Sequence, residues 1–193
     1  MDDHPFDELL IQALTNFWAI RKFSRRGRSS KCLDGFFELA KAAAPNNVET
    51  HTSGKALTLP GYYRPKKTWD VVFTKDGLLI GAIELKSQAR SFAKNFNNRA
   101  EEAIGSATDF WAARKPKQPK PFLGYLMLLA DCPKSKPTAA KYEKMCERMM
   151  SKGLYTNAAL VLAKPNQTQS RSLSEATDVR TFFDQVAEHL GSA

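Results

Sequence analysis

Asp70, Glu84 and Lys86 are the residues of this chain whose types and spacing point most directly to chemistry. Asp70 belongs to one apolar, strand-like run (68–74), and the triplet Glu84-Leu85-Lys86 closes the next (78–87). Lys75-Asp76-Gly77 joins the two, and Asp-Gly is a common hairpin turn signal. Side chains alternate across a strand, so Glu84, Lys86 and Gln88 share one face while Ile83 and Leu85 share the other. Folding the hairpin brings position 70 opposite roughly 82 to 84, and a favourable register sets it within reach of Glu84 on one face. Two bare carboxylates repel, and a hard divalent cation relieves the repulsion. Oxygen-only ligands select Mg²⁺ or Mn²⁺, and the Leu85 backbone carbonyl is a third candidate ligand beside Asp70 and Glu84. Such a site suits phosphodiester hydrolysis: the metal activates a water and offsets charge, while Lys86 orients the water, deprotonates it or stabilises the phosphorane. The same residues also occur on exposed strands as solvated or weakly paired charges, worth about 0–1 kcal/mol.

The elements that would position these residues read as α/β. Residues 6–23 carry Phe6, Leu9, Leu10, Leu14, Phe17 and Ile20 at helical spacing. Asp34 is placed to cap a second helix that runs to Ala44. Residues 46–58 and 165–174 are polar and read as loops. Helices are expected over 97–114, 139–152 and 175–190, and further strands over 122–130 and 156–163. From residue 68 the order is β-β-α-β-α-β-α, which predicts a mixed sheet of four to five strands flanked by helices. With 193 residues the chain suits one domain, 1–193, with an N-terminal helical part (1–58), a core (59–163) and a C-terminal helix (164–193).

A formal net charge of +9 favours a polyanionic partner, nucleic acid ahead of a membrane surface. Cys32, Cys132 and Cys146 show no metal or disulfide spacing and read as buried free thiols. The acidic start MDDHPFDELL has no apolar signal-peptide core, and no apolar run approaches a membrane span, so a cytoplasmic location is expected.

GYYRPKKTWD (61–70), AIELKSQ (82–88), NFNNRAEEAIGSATDFW (95–111) and LGYLMLLADCP (123–133) together resemble the XhoI type II restriction endonuclease family. Asp34-Gly35-Phe36 and the stretch RMMSKGLYTNAALV are similar to further family elements. The resemblance implies a PD-(D/E)XK nuclease core with Asp70 and Glu84 as the acids and Lys86 as the lysine. It implies a Mg²⁺-dependent homodimer that cuts the palindrome CTCGAG, and a methyltransferase that protects the host's own sites. An early-helix acid often completes the metal site in this superfamily, which makes Asp34 and Glu38 the further candidates. Only Lys134–Lys141 separates Asp131-Cys132-Pro133 from the helix at Tyr142, a shorter insert than the family pattern leads one to expect. That bears on site recognition and dimer contacts rather than on the metal motif.

A C·G-rich half-site needs Arg or Lys for guanine and Asn or Gln for adenine. Gln88, Asn95, Asn97, Asn98 and Arg99, read as a loop entering a helix, are the expected DNA-contacting residues. Arg25, Arg26, Arg28 and Lys31 form the densest basic cluster and suit phosphate contacts, as do Lys66, Lys67, Lys115, Lys117 and Lys120. A repair or structure-specific nuclease of the same superfamily, and a DNA-binding module without catalysis, remain open on the sequence alone.

Overall fold

The computed structural model describes residues 3–23, 30–114 and 120–193. Five helices are present among these residues: α1 (Asp3–Phe23), α2 (Gly35–Ala43), α3 (Phe92–Ala112), α4 (Lys136–Ser151) and α5 (Val179–Gly191). One mixed sheet runs through the middle. It contains β1 (Glu49–His51), β4 (Val71–Lys75), β5 (Leu78–Gln88), β6 (Phe122–Ala130), β7 (Asn157–Ala163) and β8 (Ser170–Arg171), in the order β1-β4-β5-β6-β7-β8. Two two-residue strands, β2 (Thr58–Leu59) and β3 (Lys67–Thr68), pair separately just before the hairpin. The sheet has six strands rather than the four to five expected. The added strands, β1 and β8, lie at its edges within segments that read as loops. Each is short and polar, and its strand state comes from pairing with β4 or β7 rather than from its own pattern.

The β4–β5 hairpin closes on a two-residue loop, because Lys75 pairs with Leu78. Asp76 (φ 51°) and Gly77 (φ 74°) are both left-handed, the conformation that a tight hairpin turn requires. Farther along, β5 carries one extra residue, Ile80, between the pairs Thr74–Leu79 and Phe73–Gly81. This bulge moves the register by one residue, so Val71 faces Ile83 and the next position sets Asp70 across from Glu84.

β5, β6 and β7 run parallel to one another. All nine residues of β6 and all seven of β7 are buried, as a strand covered on both faces demands. One face packs Val71, Ile83, Leu85, Leu126 and Val161 under α1, α2 and α5. The other packs Val72, Ala82, Tyr125, Met127 and Leu160 under α3 and α4. The molecule is therefore three layers, with helices on both faces of the sheet. Cys32 and Cys146 are buried free thiols, whereas Cys132 is partly exposed at the end of β6. No helix among the described residues is long and apolar enough to cross a membrane.

Gly124, paired with Ile83 of β5, has no room for a side chain. A Cβ there would sit 2.7 Å from Phe182 Cζ and 2.8 Å from Phe122 Cε1, both rings being fully buried. Gly124→Ala is expected to destabilise by about 1–3 kcal/mol through overpacking. Chemical denaturation checks this as a lower midpoint with an unchanged slope.

Candidate active site

The bulged hairpin delivers Asp70, Glu84 and Lys86 to the face of the sheet covered by α3 and α4. Asp70 Oδ2 accepts the backbone N–H of Leu85 at 2.7 Å, which fixes the carboxylate against the neighbouring strand. Leu85 itself turns its side chain into the opposite layer. Glu84 is 2 % exposed, and its Oε1 accepts from Lys86 Nζ at 2.5 Å and from Lys67 Nζ at 3.1 Å. Glu84 Oε2 is buried and accepts no hydrogen bond. Tyr155 lies near Glu84, but its single hydroxyl proton goes to the Ala103 carbonyl at 3.0 Å.

The two acids end on opposite sides of their ordinary ranges, although burial pushes both the same way. Burial raises the Asp70 carboxyl above its ordinary range, and the Leu85 N–H and the charge of Lys86 offset this only in part. Burial acts the same way on Glu84, but the two ammonium groups of Lys86 and Lys67 outweigh it and hold the carboxyl below its ordinary range. Glu84 is thus an anion at neutral pH with one oxygen neutralised and the other open. An unpartnered buried carboxylate oxygen is costly to leave bare. With Asp70 across the hairpin from it, the acidic side chains offer oxygen donors only, the type that suits a hard divalent cation.

Lys67 is the residue whose role the sequence reading missed. It reads as a phosphate contact, yet β3 carries it onto Glu84, with its ammonium 4.6 Å from the centre of the Trp69 ring. The signal available was its parity: Lys67 and Trp69 lie two residues apart and share a direction.

Gln88 also differs from expectation. It shares the face of Glu84 and Lys86 but is 4 % exposed. Its Oε1 accepts from Tyr142 Oη at 2.8 Å, and its Nε2 donates to the carbonyls of Ser91 and Phe92 at 2.9 Å each. Its amide is engaged within the protein on both its oxygen and its nitrogen, and it anchors the start of α3 to β5. That helix begins at Phe92 rather than at Asn97, so Asn95 is helical together with Asn97, Asn98 and Arg99. Asn97 and Asn98 are exposed, Asn95 is half-buried, and Arg99 pairs with Glu102 at 2.8 Å. Arg21 of α1 donates to Ser87 Oγ at 2.6 Å, tying the other helical layer to the same strand.

The early-helix acids lie apart from the pair. Asp34 has helical backbone angles (φ −59°, ψ −29°) and caps nothing with its side chain, because a 3₁₀ turn over Ser30–Leu33 runs into α2. Glu38 is exposed and paired with Lys41 at 2.8 Å. Among the described residues neither forms a cluster of three acids with Asp70 and Glu84. Lys31 is exposed on the 3₁₀ turn, and Lys66 is exposed just before Lys67. Arg25, Arg26, Arg28, Lys115 and Lys117 lie outside the described residues.

The opposite shifts of the two acids predict opposite stability effects in metal-free protein. Asp70→Asn keeps an acceptor for Leu85 and removes an ill-solvated charge, so the Tm rises. Glu84→Gln leaves Lys67 and Lys86 without their counter-charge, so the Tm falls. A carboxyl with a lowered folded pKa stabilises above its ordinary pKa of 4.5 and loses that contribution as pH falls through the folded value. The deficit of Glu84→Gln relative to the parent is therefore full above pH 4.5 and shrinks below it. Thermal melts across pH with a chelator present test both signs.

Three comparisons bear on this geometry. The family model described as restriction endonuclease XhoI matches residues 24–141. The type II restriction enzyme AbrI of Azospirillum brasilense is 44 % identical over 120 residues, covering 58 % of this chain and 54 % of AbrI. The type II restriction enzyme BstVI of Geobacillus stearothermophilus is 36 % identical over 186 residues, covering 79 % of this chain and 83 % of BstVI. The type II restriction enzyme XhoI of Xanthomonas vasicola is 38 % identical over 195 residues, covering 79 % of each chain. The chain thus spans about half the length of AbrI and about four fifths of the other two. No solved structure matches it. The family match takes in the hairpin with Asp70, Glu84 and Lys86 together with α3 and β6, and the chain belongs to the XhoI restriction endonuclease family, whose members cut DNA at specific sites.

Proposed function

We propose that this chain is a type II restriction endonuclease with a PD-(D/E)XK active site. It cuts both strands of duplex DNA at a palindrome, CTCGAG or a related site, with Mg²⁺ or Mn²⁺ as cofactor. The observation that carries this reading is the register of the bulged hairpin. It sets Asp70 across from a Glu84 that has one oxygen open and the other on Lys86.

Asp70, Glu84 Oε2 and the Leu85 carbonyl are the proposed ligands. A cation held there supplies Lewis acidity toward a phosphate oxygen and a more acidic water. The chain's own residues do the rest. Lys86 has three N–H donors, and its contact with Glu84 Oε1 occupies one. The other two are available to orient an attacking water and to donate to a non-bridging phosphate oxygen as negative charge builds there. The Leu85 N–H fixes the orientation of Asp70, so the acid needs no reorganisation when phosphate arrives.

Recognition of a palindrome calls for a two-fold homodimer, each subunit reading one half-site. Asn97 and Asn98 on the exposed first turns of α3, with Asn95 and Arg99 beside them, are the proposed contacts to DNA. Gln88 holds that helix start in a constant relation to the catalytic strand. Lys31 and the basic residues around it are proposed to meet phosphates. A methyltransferase of the same system would protect host sites.

A plasmid of known sequence digested with Mg²⁺, with the product ends sequenced, tests the reaction and the site together. Asp70→Ala, Glu84→Ala and Lys86→Ala are each expected to lower the cleavage rate by at least about 10²–10³-fold. Cutting that survives in both acid variants rejects the assignment. Lys67 stands in a different relation to the site, because its ammonium competes with a cation for the charge of Glu84. Lys67→Met is expected to lower the Mg²⁺ concentration that gives half-maximal cleavage, by several-fold on simple charge competition. A metal titration of parent and variant gives the shift.

A further inference from the structure

The turn that leads into the active site is held in an unusual way. Asp109, on α3 and 3 % exposed, accepts three successive backbone N–H groups at one oxygen. Tyr62 donates to Oδ1 at 2.8 Å, Tyr63 at 2.6 Å and Arg64 at 3.3 Å. Arg64 Nε donates to the other oxygen, Oδ2, at 3.1 Å. Burial opposes the charge on Asp109, but these donors outweigh it and keep the carboxyl below its ordinary range. Gly61 is required for the approach, since a Cβ there would lie 2.2 Å from Asp109 Oδ2 and 2.6 Å from the Arg64 carbonyl.

This clamp orders a turn whose two large side chains remain in solvent. Tyr62 is 67 % exposed and Tyr63 is 70 % exposed, with ring centroids 4.9 Å apart and the rings nearly perpendicular. Burying a carboxylate to order a turn that hides no apolar surface of its own does not serve the core. It does serve a partner, because pre-ordered aromatic rings lose little entropy on binding. The neighbourhood identifies that partner's chemistry. Arg64 and Lys66 are exposed on either side of Pro65, and Lys67 reaches Glu84. Tyr63 and Lys67 are four residues apart, at most about 14 Å of extended chain. A duplex seated on Asp70 and Glu84 extends well beyond that distance along its axis. A second copy is a poorer fit, since it would bring one basic turn of a +9 chain against another.

We propose that Tyr62 and Tyr63 form a preset aromatic contact to DNA, packing their rings on deoxyribose faces beside the scissile phosphate. The contact adds a non-ionic, sequence-tolerant contribution to binding, distinct from the phosphate contacts of lysines and arginines. It rests on the nuclease reading above and deepens it.

The test is equilibrium binding of the full chain to a labelled duplex of about 30 base pairs containing CTCGAG, with Ca²⁺ in place of Mg²⁺, at several salt concentrations. Truncating two tyrosines at the centre of a contact predicts that Y62A/Y63A weakens binding roughly tenfold or more. Y62F/Y63F is expected to stay close to the parent. The dependence of log K on log salt is expected to be unchanged in Y62A/Y63A, because no charge is lost, and shallower in Lys66→Ala. In the parent, nitration of both tyrosines by tetranitromethane should be blocked by duplex and not by free nucleotide, which tests the contact without a substitution. Parent-like affinity in Y62A/Y63A, or nitration unaffected by duplex, overturns the proposal. So does loss of binding that accompanies a change from dimer to monomer in sedimentation, which would assign the pair to contact between copies. A parent chain that neither binds nor cuts duplex DNA overturns the nuclease reading, and this inference with it.

Discussion

The candidate site depends on the register of one hairpin. The Asp76-Gly77 turn by itself pairs Lys75 with Leu78, and that count carried along two regular strands would set Asp70 across from Ile83. Asp70 would then share a face with Ile83 and Leu85, beneath α1, α2 and α5, where a carboxylate has no partner. The extra residue at Ile80 moves the count by one and returns Asp70 to the face of Glu84. Ile80 still points into the apolar layer, so the bulge is held by the same core that the misaligned register would have broken. Gly81 follows immediately, where a Cβ would lie 3.0 Å from the Phe73 ring.

Two buried carboxylates on this framework are partnered in contrasting ways. Asp109 has both oxygens engaged by four donors and has no capacity left for a ligand. Glu84 has two ammonium groups on one oxygen and nothing on the other. Taking a charge out of water costs several kcal/mol unless partners compensate it. That cost is met in full at Asp109 and only in part at Glu84. The amide of Gln88 belongs with Asp109: it joins β5 to α3 as Asp109 joins α3 to the turn before β3. Both ends of α3 are therefore fixed relative to the acids, and the helix transmits that geometry to its exposed asparagines.

Much of this was legible in the chain. Helical spacing in α1, the apolar runs of β6 and β7, and the alternation in β5 each report a local environment, and local environments determine periodicity. Hence Glu84, Lys86 and Gln88 fall on one strand face and Ile83 and Leu85 on the other, as the alternation requires. The edge strands β1 and β8 were not legible because their order comes from a neighbour's unpaired backbone rather than from their own residues. Gln88 was misread for a related reason: strand parity gives a side chain's direction but not what fills the space in front of it. That space holds Tyr142 from α4, 54 residues away.

The sequence by itself determined the residue types of the site, the family, the two helical layers and the basic charge that suits DNA. These follow from pattern and composition, which the chain carries locally. Only the tertiary structure decided that Lys67 joins Glu84, that Asp34 and Glu38 stand apart, and that Asp109 orders the tyrosine turn. Each of these depends on where separate elements meet. A meeting of that kind is set by packing over the whole core, and no short window of sequence contains it.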